Sequence, residues 1–501
     1  MLDTAPTTTT PGALHMPGAI LLISTYELGH QPLALAAPLA ALREVGYAPL
    51  ARDASVEEIS EDELRAARLV AISTPMHTAL RLAAPIAARV RQLNPDATIF
   101  FYGLYAALNA DMLLASYADL VAGGEYLQPL LDLAHALENG ATRAEVADMN
   151  VRRTGRADKS APMGRAATKP AYAGYTPARD TLPELERYAR LARGPELTLA
   201  GYVETTRGCL HTCTHCPITP VYRGRFYVNP RGAVLEDIRQ QVQAGAGHIT
   251  FGDPDFFNGP GHSMGIARAL HAEFPDVTFD ATIKVEHIIE RRKLIPELAS
   301  LGCAFVVSAV ESLSPVVLER LAKGHTRADV VEALRILDDA GIPMRPTFVT
   351  FTPWTSAEDY LELLDFVAEH DLIEQIDPIQ FAIRLLVPPG SALLEASDAD
   401  QWFGPLDPAA LNHTWKHPDP RMDTLQRAVM ARVERDAAMQ VPAEKTFAAI
   451  RKLAAQRLDP AHAFLEVAPR AKAAPTPRLT EAWFCCAEPT EGQWTPMTPK
   501  L

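Results

Sequence analysis

Short apolar runs alternate with amphipathic, helix-length stretches through most of this 501-residue chain. Within residues 18–140 the strand-like runs are 19–24, 47–53, 68–74 and 98–103. Strands separated by helices favour a parallel sheet, because a parallel connection needs a crossover. This order predicts an α/β fold that begins with an N-terminal doubly wound parallel sheet. Ligands of such a sheet bind at the carboxyl ends of its strands.

A second series of strand–helix units fills residues 196–395. Its strand-like runs are 198–206, 248–252, 277–284, 303–308, 344–351 and 375–386. Six such units predict a partial (β/α)6 barrel, with functional groups at the carboxyl ends of the strands. Helix N-caps are predicted at Ser314, Thr326 and Ser356, the last two with an aspartate three residues later.

The remaining segments differ in character from these two regions. Residues 141–195 are rich in Arg, Ala, Pro and Gly without sustained periodicity, which predicts a linker. Residues 396–501 contain two helical patterns, near 420–439 and 444–457, followed by a proline-rich stretch. They predict a helical C-terminal region with an extended tail.

Composition excludes several classes of protein. A hydrophobic content of 48% with 22% charged residues is typical of a globular protein. Apolar runs are shorter than the roughly 20 residues of a membrane span, and the N-terminus lacks a secretory pattern. Lys plus Arg number 47 against 61 Asp plus Glu, which argues against a nucleic-acid partner. We therefore expect a cytoplasmic protein that has neither a membrane partner nor a disulfide framework.

Three cysteines, Cys209, Cys213 and Cys216, share one short loop in a C-x-x-x-C-x-x-C spacing. Four-iron clusters usually take four thiolates, so a triad without a nearby fourth cysteine leaves one iron open to a small molecule. Structural zinc is the alternative, because His211 or His215 can complete a set of four ligands. Both interpretations remain open on spacing alone.

The triad and the strand–helix units after it resemble the radical S-adenosylmethionine (radical SAM) superfamily over roughly residues 197–395. His215, just before the last cysteine, fits the superfamily's preference for an aromatic residue there. The resemblance implies a [4Fe–4S] cluster whose free iron binds the amino and carboxylate groups of S-adenosylmethionine. It also implies reductive cleavage to a carbon radical, with an electron donor such as flavodoxin or ferredoxin.

The same resemblance assigns roles to residues at the strand ends. Gly252, Asp253 and Pro254, followed by Asp255, occupy the position of the motif that receives the amino group of S-adenosylmethionine; a simple turn is the alternative. The residues implied for its ribose, methionine or carboxylate groups are Ser308, Glu311, Ser312 and Arg384. Lys284 either faces the cavity or is exposed, and Cys303 is predicted to be a core residue.

Residues 18–140 resemble the cobalamin-binding domain that precedes many radical SAM cores. The similarity includes a glycine–glutamate turn at Gly123, Gly124 and Glu125. No D-x-H-x-x-G motif is present, so no histidine is nominated as a cobalt ligand. His30 and His77 are interpreted as solvated loop histidines. Cobalamin bound without a protein ligand and a domain that has lost cobalamin are both compatible with this pattern.

Two adjacent cysteines, Cys485 and Cys486, lie in the tail. Adjacent cysteines do not easily form an unstrained disulfide, and soft sulfur ligands favour thiophilic ions such as trivalent arsenic. A chance pair of free thiols is the alternative. The sequence from Cys485 to Pro489 resembles the CCAEP or selenocysteine-containing CUAEP ending of one group of radical SAM proteins.

That group is associated with arsinothricin biosynthesis. The resemblance implies transfer of the 3-amino-3-carboxypropyl group of S-adenosylmethionine to arsenite, forming hydroxyarsinothricin, with Cys485 and Cys486 as arsenite ligands and catalytic residues. A cobalamin-dependent radical SAM methyltransferase is the first alternative. A non-catalytic iron–sulfur electron-transfer protein is the second.

Overall fold

The computed structural model describes residues 13–153, 166–168, 175–462, 464 and 476–481. Cys485 and Cys486 lie outside the described residues. No helix in the described ranges is both long and apolar enough to cross a membrane.

The first domain is built on a five-stranded parallel sheet. Its strands are β1 (Ile20–Ser24), β2 (Leu50–Asp53), β3 (Leu69–Ser73), β4 (Thr98–Tyr102) and β5 (Leu120–Ala122). Its helices are α1 (Leu33–Glu44), α2 (Glu61–Ala66), α3 (His77–Leu93), α4 (Leu104–Leu108), α5 (Ala110–Ser116) and α6 (Leu127–Glu138). Every residue of β1 and β3 is buried, as expected for strands covered by helices on both faces. The predicted doubly wound sheet is confirmed.

The strand order in this sheet is β2-β1-β3-β4-β5. The chain reverses direction across the sheet between β1 and β3, and ligands of open α/β sheets bind at such a point, outside the carboxyl ends of the strands. The loops that follow β1, β3, β4 and β5 therefore form the edge that faces the second domain.

The segment predicted as a linker contains regular structure. Residues Arg143–Arg153 form helix α7, and Ala166–Thr168 form the short strand β6. Leu185–Arg187 form a single 3-10 turn, and Arg190–Arg193 form β7, which pairs antiparallel with the first barrel strand. Strand β7 and this barrel strand form a hairpin across the two-residue turn at Gly194 and Pro195.

The second domain is an open, curled sheet with helices on its outer face. The further strands of this domain are β8 (Glu196–Val203), β9 (Thr206–Gly208), β10 (Arg225–Val228), β11 (His248–Phe251), β12 (Thr278–Thr282), β13 (Cys303–Glu311) and β14 (Met344–Phe348). Of these, β9 and β10 pair with β6 in a separate three-stranded sheet. Its helices are α8 (Ile218–Tyr222), α9 (Arg231–Gln243), α10 (Pro260–Glu273), α11 (Val285–Glu290), α12 (Ile295–Ser300), α13 (Pro315–Arg320), α14 (Arg327–Asp339) and α15 (Ala357–Glu369). Strands β8, β11, β12, β13 and β14 run parallel in that order, which confirms the partial barrel.

The sixth predicted strand, residues 375–386, is wrong. This run forms 3-10 turns, and a single parallel bridge between Phe351 and Arg384 marks the place of a sixth strand. Pro378 explains the difference, because proline lacks the backbone N–H that a ladder requires.

The C-terminal region packs against the far end of the barrel. Its elements are α16 (Ala399–Trp402), β15 (Leu406–Asp407), β16 (Asn412–His413), α17 (Pro420–Ala438), α18 (Ala443–Arg457) and β17 (Arg478–Leu479). Leu425 of α17 and Ile450 of α18 are fully buried in the same core as Phe381. The chain then returns to the edge of the barrel sheet, where β17 pairs antiparallel with β7.

Two of the three predicted N-caps are confirmed as capping boxes. The side chains of Thr326 and Ser356 accept from the backbone N–H three residues later, and the aspartates there bond back. Ser314 precedes a helix that begins with Pro315, but its side chain makes no capping bond.

Candidate active site

The chain leaves β8 toward the cysteine loop through Thr205 and Thr206, which Asp253 holds in place. The Asp253 carboxylate accepts from the backbone N–H and hydroxyl of Thr205 and from the hydroxyl of Thr206. Burial raises the pKa of Asp253 to about 6, although these hydrogen bonds oppose the rise. Asp253 thus fixes the direction in which the chain leaves the barrel.

The cysteine loop is fastened at several further points. The side-chain oxygen of Asn258 accepts from the backbone of Leu210 at 3.1 Å. Thr214 donates through its hydroxyl to the carbonyl of Arg320 at 2.7 Å and through its backbone to Leu321 at 3.1 Å. The loops after β11 and β13 therefore hold the cysteine loop on both sides.

Cys209, Cys213 and Cys216 all line one cavity of about 260 Å³. Within the part of the chain that the structure describes, their sulfur atoms do not converge as the ligands of a single metal ion do. This arrangement fits a multi-iron cluster better than the zinc alternative. Burial, with the nearby Asp255 carboxylate, raises the pKa of Cys209 to about 12. Bound iron overcomes such a shift, since a coordinating thiol is deprotonated by the ion.

Glu311 connects the end of β13 to the cysteine loop. Its backbone φ is +66°, in the left-handed region, at a bulge that breaks the register with β14. Oε1 lies 3.2 Å from Nε2 of His215 and 3.5 Å from Nζ of Lys323. Burial alone raises the pKa of Glu311, but the ammonium of Lys323 and the hydrogen bond with His215 outweigh it and set the pKa to about 2. Glu311 is therefore an ionised carboxylate in the cavity wall.

The structure brings together some of the residues predicted at the strand ends. Gly252, Pro254, Lys284 and Glu311 line the cavity with the three cysteines. Gly252 admits no side chain, because a Cβ there would lie 2.0 Å from the hydroxyl oxygen of Tyr202. Lys284 is buried, which decides against the exposed alternative.

Four predicted residues do not line this cavity. Asp253 is turned toward the threonines described above. Ser308 is fully buried in β13, and the Ser312 hydroxyl accepts from the backbone of Ser314. Arg384 pairs with Asp423 at 2.6 Å and stacks on the ring of Trp415, so its guanidinium is committed to the C-terminal region.

Residues 203–367 match the model of the radical SAM superfamily. The matched range begins at the end of β8 and contains the cysteine loop, the Gly252 turn and Glu311. The chain carries a radical SAM domain.

Curated relatives share this domain at low identity. A putative methylthiotransferase of Methanocaldococcus jannaschii is 24% identical over 185 residues, which are 34% of this chain and 39% of the relative. An uncharacterized methyltransferase of Pyrococcus horikoshii is 26% identical over 201 residues, which are 40% of this chain and 42% of the relative. A ribosomal protein uS12 methylthiotransferase of Cereibacter sphaeroides is 28% identical over 182 residues, covering 34% and 39%. The chain spans about two fifths of the length of these relatives.

Solved structures resemble the chain beyond the radical SAM domain. The radical SAM methyltransferase TsrM of Kitasatospora setae, solved with cobalamin and a [4Fe-4S] cluster, matches with a TM-score of 0.62 at 14% identity, covering 87% of this chain and all of TsrM. The cobalamin-dependent radical SAM enzyme OxsB, with aqua-cobalamin bound, matches with a TM-score of 0.62 at 15% identity. The match covers 87% of this chain and 71% of OxsB. The two-domain fold of this chain is therefore similar to the folds of TsrM and OxsB.

The turn after β5 is nevertheless covered by side chains of the radical SAM domain. A Cβ at Gly124 would lie 3.5 Å from Cζ of Tyr222, whose hydroxyl lies 3.4 Å from Glu125. The guanidinium of Arg207 lies over the Tyr126 ring and 3.6 Å from Glu125. The cavity at this turn is about 110 Å³, too small to admit a corrin beside these side chains. These residues do not fit cobalamin.

The two histidines interpreted as solvated are buried, so that interpretation is wrong. His30 stacks on the ring of Tyr202 and lines the cavity, and burial lowers its pKa to about 4. Nε2 of His77 bonds to the carbonyl of Ala410 at 2.8 Å, and burial lowers its pKa to about 4 as well.

Sequence reasoning missed several polar residues of the cavity wall. Glu27 and Glu204 come from the two domains and line the same cavity as Lys323. Burial, with the carboxylate of Glu204, raises the pKa of Glu27 to about 8. The one sequence signal for Glu27 is its place in the loop after β1, since ligands of a doubly wound sheet bind at the carboxyl ends of its strands.

Proposed function

We propose that this protein uses its radical SAM domain to transfer the 3-amino-3-carboxypropyl group of S-adenosylmethionine to trivalent arsenic. Cys209, Cys213 and Cys216 hold the cluster in this proposal, and Cys485 and Cys486 bind arsenite. The radical SAM match supports the cofactors, and the CCAEP-type tail supports the acceptor. The observation that carries the proposal is the return of the chain to the barrel, beside a residue of the cysteine cavity, just before that tail.

Strand β17 and the two residues after it bring the chain back to the barrel. Leu479 and Glu481 lie against the barrel interior beside His30, a residue that also lines the cysteine cavity. The hydroxyl of Tyr26 donates to Glu481 at 2.5 Å. Cys485 follows Glu481 by four residues, a span of at most roughly 14 Å in extended chain. Because the four residues span no more than this distance, the thiol pair stays near Glu481 and His30, beside the mouth of the cysteine cavity.

The proposed reaction balances without a net oxidant or reductant. When bound, the cluster supplies an electron to the sulfonium of S-adenosylmethionine, and a carbon–sulfur bond breaks. Overall, the arsenic lone pair becomes the carbon–arsenic bond, the sulfur keeps the electron pair of the broken bond, and methylthioadenosine leaves. An arsenic hydroxyl loses its proton, which gives a pentavalent arsonic acid. A donor such as flavodoxin or ferredoxin starts the reaction by reducing the cluster. The electron returns to the cluster when the carbon–arsenic bond has formed, so no reductant is consumed.

The residues of the cavity wall hold the substrates and exclude water. Glu311 is ionised, so it accepts hydrogen bonds from the amino or ribose groups of bound S-adenosylmethionine. Loop residues Leu28 and Met76 of the first domain and Ile218 of α8 close the cavity with apolar surface. A closed apolar wall protects a carbon radical from reactions other than the intended one.

A second function is favoured by the likeness to TsrM and OxsB: cobalamin-dependent methyl transfer. In that case Tyr222 and Arg207 must move away from the turn at Gly124 to admit a corrin. Purified protein with a corrin absorbance would favour this function, as would S-adenosylhomocysteine as a product. An iron–sulfur electron-transfer protein, the third alternative, would leave S-adenosylmethionine intact.

An anaerobic assay with a strong reductant, with and without arsenite, tests the proposal. We expect methylthioadenosine and an arsenic-containing amino acid, both dependent on arsenite. Cys485→Ser with Cys486→Ser should abolish the arsenical product and retain the cluster. Cys303→Ala is the matched control, since this thiol is buried in β13 away from the cavity. Formation of 5′-deoxyadenosine as the only fragment would contradict the proposal.

A further inference from the structure

Three side chains from separate segments converge beside the cysteine loop. His211 belongs to that loop, Asp255 follows β11, and His287 lies in α11. Each is at least nine-tenths buried, with exposed fractions of 9%, 1% and 7%. Nε2 of His211 lies 3.4 Å, and Nδ1 of His287 2.6 Å, from Oδ2 of Asp255. All three ligating atoms lie within 4.8 Å of one another.

None of these three atoms has a hydrogen-bond partner. The contacts of His287 and His211 with Asp255 are at ion-pair distances but do not meet hydrogen-bond geometry. A buried polar atom without a partner costs about 1–3 kcal/mol, and native structures contain few of them. Three in one place indicate a missing ligand.

The outer atoms of the same side chains are held in place. Oδ1 of Asp255 accepts from the backbone of Phe257 at 3.1 Å. Nδ1 of His211 lies 3.4 Å from Oε2 of Glu286 and 3.0 Å from Nζ of Lys284, and these two side chains pair at 2.6 Å. Nζ of Lys284 donates to Nδ1 of His211, and Glu286 fixes Lys284 in turn, so this pair orients the imidazole toward Asp255.

The residue types agree with a cationic ligand. Two imidazole nitrogens and one carboxylate oxygen are the ligands of catalytic zinc and of non-haem iron(II), both of which keep open positions.

We propose that His211, Asp255 and His287 form a mononuclear site for a divalent transition-metal ion, Zn²⁺ or Fe²⁺. His211 and Asp255 also line the cavity of the three cysteines, so the open positions of the ion face that cavity. An oxygen atom of a bound small molecule completes the coordination there. The site is separate from the thiol cluster and does not depend on arsenic as the acceptor.

Zinc is the probe for this site, because its absorption edge is distinct from that of cluster iron. Cluster-loaded protein is dialysed anaerobically against Zn²⁺, and zinc and iron are counted per chain. We expect about one zinc in the wild type and none in Asp255→Asn or His287→Gln, with the iron content unchanged. His370→Gln, in the same domain but stacked on Phe366, should keep the zinc.

Zinc-edge X-ray absorption then identifies the ligands. We expect nitrogen and oxygen at about 2.0–2.1 Å and no sulfur at about 2.3 Å. Zn²⁺ should also raise the unfolding midpoint of the wild type but not that of Asp255→Asn, which separates loss of the site from loss of the fold. A sulfur shell, or equal zinc in the wild type and Asp255→Asn, overturns the proposal.

Discussion

Arg179 and Asp237 form a doubly hydrogen-bonded ion pair that is almost fully buried, with N–O distances of 2.8 and 2.9 Å. The same guanidinium donates to the backbone and side-chain oxygens of Gln31 and to the carbonyl of Tyr202. Gln31 follows β1, Tyr202 belongs to β8, and Asp237 belongs to α9. One arginine therefore fastens the first domain to the radical SAM domain.

Replacing this arginine should destabilise the protein strongly. Burial already raises the pKa of Asp237 against the opposing effect of Arg179, and Arg179→Ala leaves the carboxylate without its cation. We expect a loss of about 3–5 kcal/mol in the free energy of unfolding, measured by chemical denaturation. Arg268→Ala breaks the exposed pair with Glu297 and should have a much smaller effect. Equal losses would mean that the buried pair has no special role.

Glu27 should make the stability depend on pH. Its pKa of about 8 in the folded protein lies above the ordinary value of 4.5 because of burial and the carboxylate of Glu204. Its contribution is therefore fully present below about pH 4.5 and is lost as the pH rises through 8. The full difference is on the order of 5 kcal/mol. Glu27→Gln should flatten the unfolding free energy between pH 5 and 8.5.

An exposed carboxyl group provides the control for Glu27. The pKa of Glu297 lies below its usual value because Arg268 donates to it, so this group does not titrate between pH 5 and 8.5. Glu297→Gln should leave the slope of stability against pH unchanged in that range. A Glu27→Gln variant with the wild-type slope would show that Glu27 is ionised in the folded protein.

The cysteine triad should account for all the cluster iron. Cys213→Ala should remove the visible cluster absorbance of anaerobically reconstituted protein and its roughly four cluster irons per chain, leaving at most the single ion of the proposed His211, Asp255 and His287 site. Cys303→Ala should keep the absorbance and the cluster iron, because Sγ of Cys303 is buried against the carbonyl of Phe305. Cluster absorbance retained in Cys213→Ala would place the cluster on other ligands.

Helix α14 tests a prediction that the sequence alone supports. Thr326→Ala removes a capping bond to the backbone of Asp329 and should cost about 1 kcal/mol of stability. Ser314→Ala should cost less, because Ser314 makes no such bond. Thermal unfolding of the two variants in parallel checks the difference.

Local signals predicted the elements whose causes are local. The parallel strands and the capping boxes at Thr326 and Ser356 depend on residues a few positions apart, so sequence patterns revealed them. Strand β5 is only three residues long, too short for a periodic signal. The prediction of a sixth barrel strand was wrong because it followed the apolar run and neglected Pro378, which has no backbone N–H for a ladder. Strand β7 pairs with β8 across the turn at Gly194 and Pro195, a local signal that the linker prediction overlooked.

The residues of the site were likewise predicted where their arrangement is local in sequence and missed where it depends on distant contacts. The spacing of the cysteines is a local pattern, and it predicted the cavity where they meet. Arg384 was assigned to a ligand because its partner Asp423 lies 39 residues away in sequence. The approach of His287 to Asp255 depends on the packing of α11 against the loop after β11. No spacing in the sequence encodes that approach.

Tyr26 provides a test of the chain's return to the cavity. Burial raises the pKa of Glu481, and the hydrogen bond from Tyr26 opposes the rise. Tyr26→Phe leaves this carboxyl buried without its donor, a loss of about 1.5–3 kcal/mol for a bond to a charged group. The backbone N–H of Thr480, which donates to Arg190, should then exchange with solvent about tenfold faster or more.

Hydrogen exchange and product analysis together separate the structural effect of Tyr26 from the functional one. If the tail delivers its thiols to the cavity, Tyr26→Phe should lower the yield of arsenical product and leave the iron content unchanged. Tyr47→Phe is the control, since Tyr47 stacks on His15 in the first domain. Faster exchange at Thr480 with an unchanged arsenical yield would show that the return of the chain is structural and that the thiol pair acts elsewhere.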